Sequence, residues 1–466
     1  MYVYKKYDHY MLVLVQALFL LYSIFEYRTA PQVYQYSFCY KLAMLSLVQN
    51  AIYFLNTRRS LLSFEFLFFF AFYFTNYVYP IEFYPTDPTY SLFKFKINYN
   101  IISRATALSF MAYSAYMFGM SLFVKKEDAA KNERQAHFSK SSIQSIFIIA
   151  ALSMGIYILY IGRQMFQGYE WYFNPKNYTP LASLAKMMCL LFSIMMWREI
   201  KNLNGNNAIY IIAWVMCVLI FLRSGSRHFL LSMLLILICS FSENIKRIPS
   251  LAVIVLMILG AALLFIIQRT RIQGWSIDTI VNTFQSVNNG HGIYETFEDL
   301  IINNRNLYAL VDYADTHGLT YGRNMLTGIL GIIPLGGKLY SYFTGIDQTF
   351  LQTSHITTYL AKSSYGLGGH IVADVYLSFG WKGTLAIFTA FGCFMGLIIK
   401  YYKKNQLCYI TYYVMIASSI FMNREFLLLP LRDIVYSIIL FKLFTSKNKD
   451  SDKEYEQIPY NSNSDI

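Results

Sequence analysis

The chain is a series of apolar blocks of nearly constant length, separated by short polar breaks. Such blocks lie at 10–25, 36–55, 61–79, 101–124, 143–161, 179–197, 208–222, 229–241, 251–268, 384–399, 407–422 and 427–444. A run of ~20 apolar residues is what a helix needs to cross a bilayer. Inside the hydrocarbon only helices and closed barrels satisfy their own backbone groups. The pattern predicts an all-α polytopic membrane protein with about twelve transmembrane helices. Two spans are weakly marked, one holding Lys41 and Asn50 and the last holding Arg432 and Asp433. The first 28 residues look like a signal peptide, but they lack a small-residue cleavage site and are read as a retained helix.

Only 14% of the residues are charged, against ~25% in a soluble domain. The formal charge of +13 would suggest nucleic acid in a soluble chain. Here Lys and Arg in cytoplasmic loops account for most of it. With the N-terminus inside, Lys5, Lys6, Arg58, Arg59 and the basic runs at 125–140, 198–202, 243–247 and 400–404 all fall on the cytoplasmic side. Both termini are then cytoplasmic. The polar tail 446–466 reads as disordered. The cysteines lie in or beside apolar runs and form no C-x-x-C pair, so neither disulfides nor zinc are expected.

One connection breaks the rhythm. Residues 269–383 are far longer than the ~15 residues above which loops are usually functional. Ile293, Phe297, Leu300, Ile301, Leu310 and Val311 share a helical face, with Gly318 as its stop. "NMLTGILGIIPLGG" is too short to span and reads as an interfacial helix ending at Pro334. The expected domains are helices one to nine in 1–268, an extracytoplasmic helical subdomain in 269–383, the last three spans in 384–445, and the tail.

This orientation puts several arginines outside, against the charge rule. Arg223 and Arg227 flank the turn in "FLRSGSRHFLL", Arg269 and Arg271 follow the ninth span, and Arg424 precedes the last. Arginine binds phosphate in a two-pronged fashion and keeps its charge near lipid. A set of arginines at helix ends could clamp a lipid diphosphate; singly, each could simply snorkel to headgroups. His370 and Asp374 are four apart and would share a helical face. Either could take a proton from a hydroxyl nucleophile, and His355 is a competing base. No helical pair of histidines has zinc spacing, and no Gly-rich phosphate loop is present, so neither a metal nor a cofactor is expected. The many Tyr and Phe residues are mostly what bilayer interfaces collect.

The C-terminal third carries a resemblance. "LTYGRNMLTGILGIIP" followed by "GLGGHIVADVYLSFGWKGTLAIFTAFGCFMGLI" resembles the Wzy-type polymerases of O-antigen and capsule polysaccharides. Tyr321, Gly322, Pro334, Gly368, Gly369, Asp374, Phe379, Gly380 and Gly383 fall in the family's order, with Asp374 where many members have Glu. The "RSGSR" turn is similar to the family's arginine-bearing segment. The resemblance implies an inner-membrane glycosyltransferase that joins undecaprenyl-diphosphate-linked repeat units on the outer face. It also implies membrane lipids and a chain-length regulator protein as partners, and no nucleic acid. An O-antigen-ligase-like transferase would use the same clamp with another acceptor. A lipid-linked oligosaccharide flippase would have short, even loops and mid-span charges, and no internal repeat of the kind many transporters carry is visible.

Overall fold

The computed structural model describes residues 2–86, 88, 98–125, 136–162, 179–203, 207–223, 227–245, 248–273, 297–363 and 366–445. Among these residues there are helices and no strands. Five helices are long and apolar enough to cross a membrane: Asp8–Arg28, Tyr36–Thr57, Lys140–Ile161, Pro180–Glu199 and Ile371–Tyr401. Three shorter apolar helices cover Asn207–Leu222, His228–Asn244 and Ser250–Gly260. The tail 446–466 and His291 lie outside the described residues.

The chain forms two compact units that cut across the boundaries expected from the sequence. One comprises Met1–Gln135 with Lys246–Ile434, the other Ala136–Ile245 with Val435–Ile466.

In the first unit, α1 (Tyr2–Arg28), α2 (Tyr36–Thr57) and α3 (Phe64–Tyr73) surround α4 (Ile102–Ser121). Every residue of α4 except Arg104 and Phe118 is buried. Its Ala, Ser, Thr and Gly content is the reason, because small side chains let helix backbones approach closely. The closest approach is to α15 (Ile371–Tyr401), the thirty-one-residue helix that leads out of the long connection. A Cβ on Gly119 would lie 2.2 Å from the Thr389 carbonyl oxygen, and one on Gly392 would lie 2.1 Å from that of Tyr116. The helix α3 does not stop at residue 79. It continues as a π-helix over Phe74–Phe83, loosened around Pro80, which has no N–H to give. Side chains take up its carbonyls: Tyr34 Oη donates to Pro80 O at 2.7 Å and Asn304 Nδ2 to Thr75 O at 2.8 Å.

Helix α15 is broken at Gly380, whose φ of 65° and ψ of −168° are not helical. Its 31 residues would measure ~46 Å unbroken, well beyond a ~30 Å hydrocarbon core. The break leaves 381–401, about 21 residues and ~30 Å, as a membrane-length piece preceded by a separate piece of about two and a half turns. The helix begins at Ile371, within the stretch 269–383 read as the subdomain.

The rest of the long connection contains α10 (Glu298–Ile301), α11 (Asn304–His317), α12 (Leu326–Leu330), α13 (Gly336–Thr344), a 3-10 turn at Gln348–Leu351 and α14 (Thr353–Leu360). Phe297, Leu300, Ile301, Leu310 and Val311 are buried and Gly318 ends α11 at φ 86°, but they do not form the single helical face expected: Phe297 precedes α10, Leu300 and Ile301 are on α10, and Leu310 and Val311 are on α11. Ile293 lies outside the described residues. The expected single interfacial helix is instead two short ones either side of Pro334 and Leu335. The chain then continues as α16 (Gln406–Ser418), a 3-10 turn at Phe421–Arg424 and α17 (Leu431–Thr445), whose residues are divided between the first unit and the second. The helix α9 (Ser250–Gln273) runs past the expected end at 268, so Arg269 and Arg271 lie inside its last turns, not after it.

The second unit holds α5 (Lys140–Ile161), α6 (Pro180–Glu199), α7 (Asn207–Arg223) and α8 (Arg227–Asn244). The helix α6 packs on α5 and α8. Ser193 of α6 accepts from Trp214 Nε1 of α7 at 3.0 Å and donates to Cys189 O of its own helix at 2.8 Å. At the other end of α6, Glu199 accepts from the Phe138 backbone N–H at 3.0 Å and Arg198 donates to Ala136 O at 3.1 Å.

Candidate functional site

The break at Gly380 explains why two distant pieces of sequence meet. An interrupted helix strands carbonyl groups that would otherwise bond four residues onward. Thr320 takes one of them: its backbone N–H donates to Leu377 O at 2.9 Å and its hydroxyl to the same oxygen at 3.1 Å. Tyr321 and Gly322 follow with φ of 51° and 85°, a left-handed turn that glycine tolerates best. The turn sits on the break itself. A Cβ on Gly322 would lie 2.9 Å from the tip of the Phe379 ring. The Tyr-Gly and Phe-Gly elements, nearly sixty residues apart, are thus one contact.

Asn324, two residues on, reaches into the first turn of α15. Its Nδ2 donates to Asp374 Oδ1 at 2.7 Å and to Asp374 O at 2.8 Å. Its Oδ1 accepts from Ser378 Oγ at 2.8 Å and from the Thr320 hydroxyl. Asp374 is only 1% exposed. Among the described residues its Oδ2 has no hydrogen-bond partner, and Thr353 and the Leu427 backbone amide are polar neighbours. Tyr376, on the same helix, donates to Asp315 Oδ1 at 2.8 Å, and Asp315 also pairs with Arg104.

His370 does not form the side-chain pair with Asp374 expected from their spacing. It is the N-cap of α15, with extended backbone at φ −157° and ψ 127°. Its Nδ1 accepts from the backbone N–H of Val372 at 3.2 Å and of Ala373 at 3.4 Å. An imidazole nitrogen that accepts carries no proton, so the proton of the neutral ring is on Nε2. That nitrogen is buried with no hydrogen-bond partner. Burial pushes the His370 pKa down to about 3. His370 is therefore a neutral cap with one donor to offer, and not a base at ordinary pH.

The Gly-Gly turn before it is held from a distance. Asn306 Nδ2 lies 3.0–3.2 Å from the carbonyl oxygens of Leu367, Gly368 and Gly369 and 3.0 Å from Asn303 Oδ1. Its two hydrogens are shared among these four acceptors. Gly368 also accepts from the Thr357 hydroxyl at 2.7 Å, and the Gly369 N–H donates to Arg424 O at 3.1 Å. Glycine is required at 369, where a Cβ would lie 2.6 Å from Glu425 O and 2.7 Å from Thr353 Oγ1. Arg424 thus joins the site by its backbone. Next to it, burial raises the Glu425 carboxyl above its ordinary value, opposed by the Arg424 charge.

The other expected residues are placed differently. His355 lies on α14 with its ring edge-on to Phe350, 4.6 Å between centroids, and no contact to Asp374 among the described residues. The side chains of Arg223, Arg227, Arg269 and Arg271 lie outside the described residues. Arg223 closes α7 and Arg227 opens α8 in the second unit; Arg269 and Arg271 are in α9 of the first. The sequence reading missed the run Asn303–Asn306. Asn303 and Asn306 serve the Gly-Gly turn, Asn304 the π-helix, and Arg305 lies fully buried over the Tyr79 ring at 5.7 Å. Three amides and an arginine in unbroken succession between apolar residues were the available signal. No protein-family model, curated protein or solved structure matches the chain.

Proposed function

We propose that the chain is a twelve-span glycosyltransferase that polymerises polyprenyl-diphosphate-linked oligosaccharide units at the outer face of the plasma membrane. The observation that carries this reading is the single contact made by the separated Tyr-Gly, Gly-Gly-His-x-x-x-Asp and Phe-Gly elements around Asp374. Asp374 is the group with an unused acceptor atom there, and His370 is not a competing base.

In the proposed step an acceptor sugar hydroxyl attacks the anomeric carbon of the donor. The new C–O bond forms as the bond from that carbon to the diphosphate oxygen breaks. The hydroxyl proton passes to Asp374 Oδ2, and the polyprenyl diphosphate leaves with the bonding electron pair. Preorganised cations at the leaving oxygens lower the barrier. Arg223, Arg227, Arg269, Arg271 and Arg424 are the candidates for that role. Thr353 and the Leu427 backbone amide face the carboxylate, so the acceptor reaches it by displacing them.

The test is a purified chain in nanodiscs with an undecaprenyl-diphosphate-linked repeat unit, with products resolved as a ladder on gels. Asp374→Asn is expected to abolish the ladder and Asp374→Glu to retain part of it. Replacing each arginine singly by Ala should shorten it. A full ladder from Asp374→Asn and from every arginine variant, at equal protein level, overturns the assignment.

A further inference from the structure

The stretch following Gly322 exposes a row of large apolar side chains. On α13, Leu339, Tyr342 and Phe343 share one face, and Leu335 and Ile346 extend it at either end. Tyr342 is 83% and Phe343 79% exposed. Ile329, Ile333 and Phe350 are exposed on the neighbouring α12, its exit and the 3-10 turn, which pack against α13. The start of α13 is held at buried Gly336 and Gly337, and a Cβ on Gly336 would lie 2.5 Å from Leu330 O. The helix is thus anchored to the end of α12 by its first two glycines, while its large apolar residues further along are exposed. A patch of this kind marks an interaction surface.

The fold fixes where this surface lies. Its beginning is tied to the break in α15: Leu319 packs on Gly380 and Gly322 on Phe379. That break is where the membrane-length piece 381–401 starts. Trp381 sits there with Arg28 and Lys382 each 5.7 Å from its ring, the mixture of Trp and basic residues that gathers at a bilayer interface. Further along, Gly328 packs on Leu428 and Gly331 beside Arg432, at the start of α17. Between Leu319 and Leu351 the charges are the exposed, basic Arg323 and Lys338 and one carboxylate, Asp347, which is tied to the Thr349 backbone N–H at the cap of the 3-10 turn. An apolar face bordered by cations matches an anionic lipid surface.

We propose that α12, α13 and the following 3-10 turn form a shelf lying in the bilayer interface. Leu339, Tyr342 and Phe343 dip into the boundary between headgroups and acyl chains, and Lys338 meets the phosphates. The inference does not depend on the polymerase reading.

The test is photo-crosslinking of the full chain in membranes of phosphatidylethanolamine and phosphatidylglycerol. The photoreactive residue p-benzoylphenylalanine is placed singly at Tyr342, Phe343 and Phe350, at Leu159 as a lipid-facing control and at His317 as a water-facing one. Leu159 is 84% exposed on the membrane-length helix α5. Lipid adducts, read by intact mass, are expected at 342, 343 and 350 at a level comparable with 159, and at least fivefold above 317. Covalent dimers in place of lipid adducts, or no adduct at these positions while 159 reacts, would overturn it. All three substitutions put an aromatic group at exposed sites, and the 159 signal confirms that the chain is inserted.

Discussion

The amide of Asn324 donates at once to the carboxylate of Asp374, at 2.7 Å, and to the backbone carbonyl of the same residue, at 2.8 Å. A buried carboxylate with only one satisfied oxygen depends heavily on that one donor. Asn324→Leu leaves Asp374 without it, and an unsatisfied buried polar group costs about 1–3 kcal/mol. Melting in detergent should fall by several degrees. Asn324→Leu/Asp374→Leu, which removes both partners, should recover most of the loss.

Asn306 should behave as a remote support of the same turn. Asn306→Ala releases the carbonyls of Leu367, Gly368 and Gly369 together. Amide exchange in the first turn of α15 is expected to speed up by tenfold or more, while exchange in α6 of the other unit stays unchanged. Equal exchange in α15 would show that the clamp does not hold the turn.

The pH dependence of stability should carry the mark of His370. Its folded pKa, about 3, lies below the ordinary value of 6.5. Between those values the unfolded chain binds a proton that the folded chain does not, so stability falls as pH drops from about 6.5 toward 3. One such group contributes at most ~1.4 kcal/mol per pH unit. In His370→Asn an amide oxygen can still accept from the helix N-terminus. Melting between pH 7 and pH 5 should then be flatter than in the parent chain.

The two glycine contexts predict opposite signs for one substitution. Gly392→Ala puts a methyl group 2.1 Å from a backbone oxygen of α4 and forces the helices apart. Gly155→Ala meets nothing within 4 Å and restrains the unfolded chain. The first should lower the melting temperature and the second should leave it unchanged or raise it by a degree or two. A melting shift of the same sign in both would refute the crossing as drawn.

Much of the helical plan was legible in the sequence, because length and hydropathy act locally. The limits of α5, α6 and α7 fall within a few residues of the apolar blocks, and Gly318 ends α11 as its position suggested. What escaped depended on partners far along the chain. Four-residue spacing suggested that His370 faces Asp374, but spacing cannot say that an imidazole will turn back to cap its own helix. The π-helix over Phe74–Phe83 needs Tyr34 and Asn304 to satisfy it, one upstream and the other more than two hundred residues downstream. The α4 block reads as one more lipid-facing span, yet it is enclosed by its neighbours. The two-unit division is likewise invisible to local pattern, because each unit is assembled from separate pieces of chain.

The crossing of α4 and α15 has a consequence for how the protein is made. Gly119 and Gly392 are about 270 residues apart in the chain, so at ~5–20 residues per second α4 is synthesised roughly 15–50 s before its main neighbour exists. During that interval the face formed by Tyr116, the glycine notch at 119 and Met120 has no α15 to cover it, and the nascent chain leaves its tightest packing surface unfilled. A chain ended before Ile371 freezes that interval permanently. It should be inserted, held by membrane quality control and degraded, with a half-life in pulse-chase far shorter than that of the complete chain.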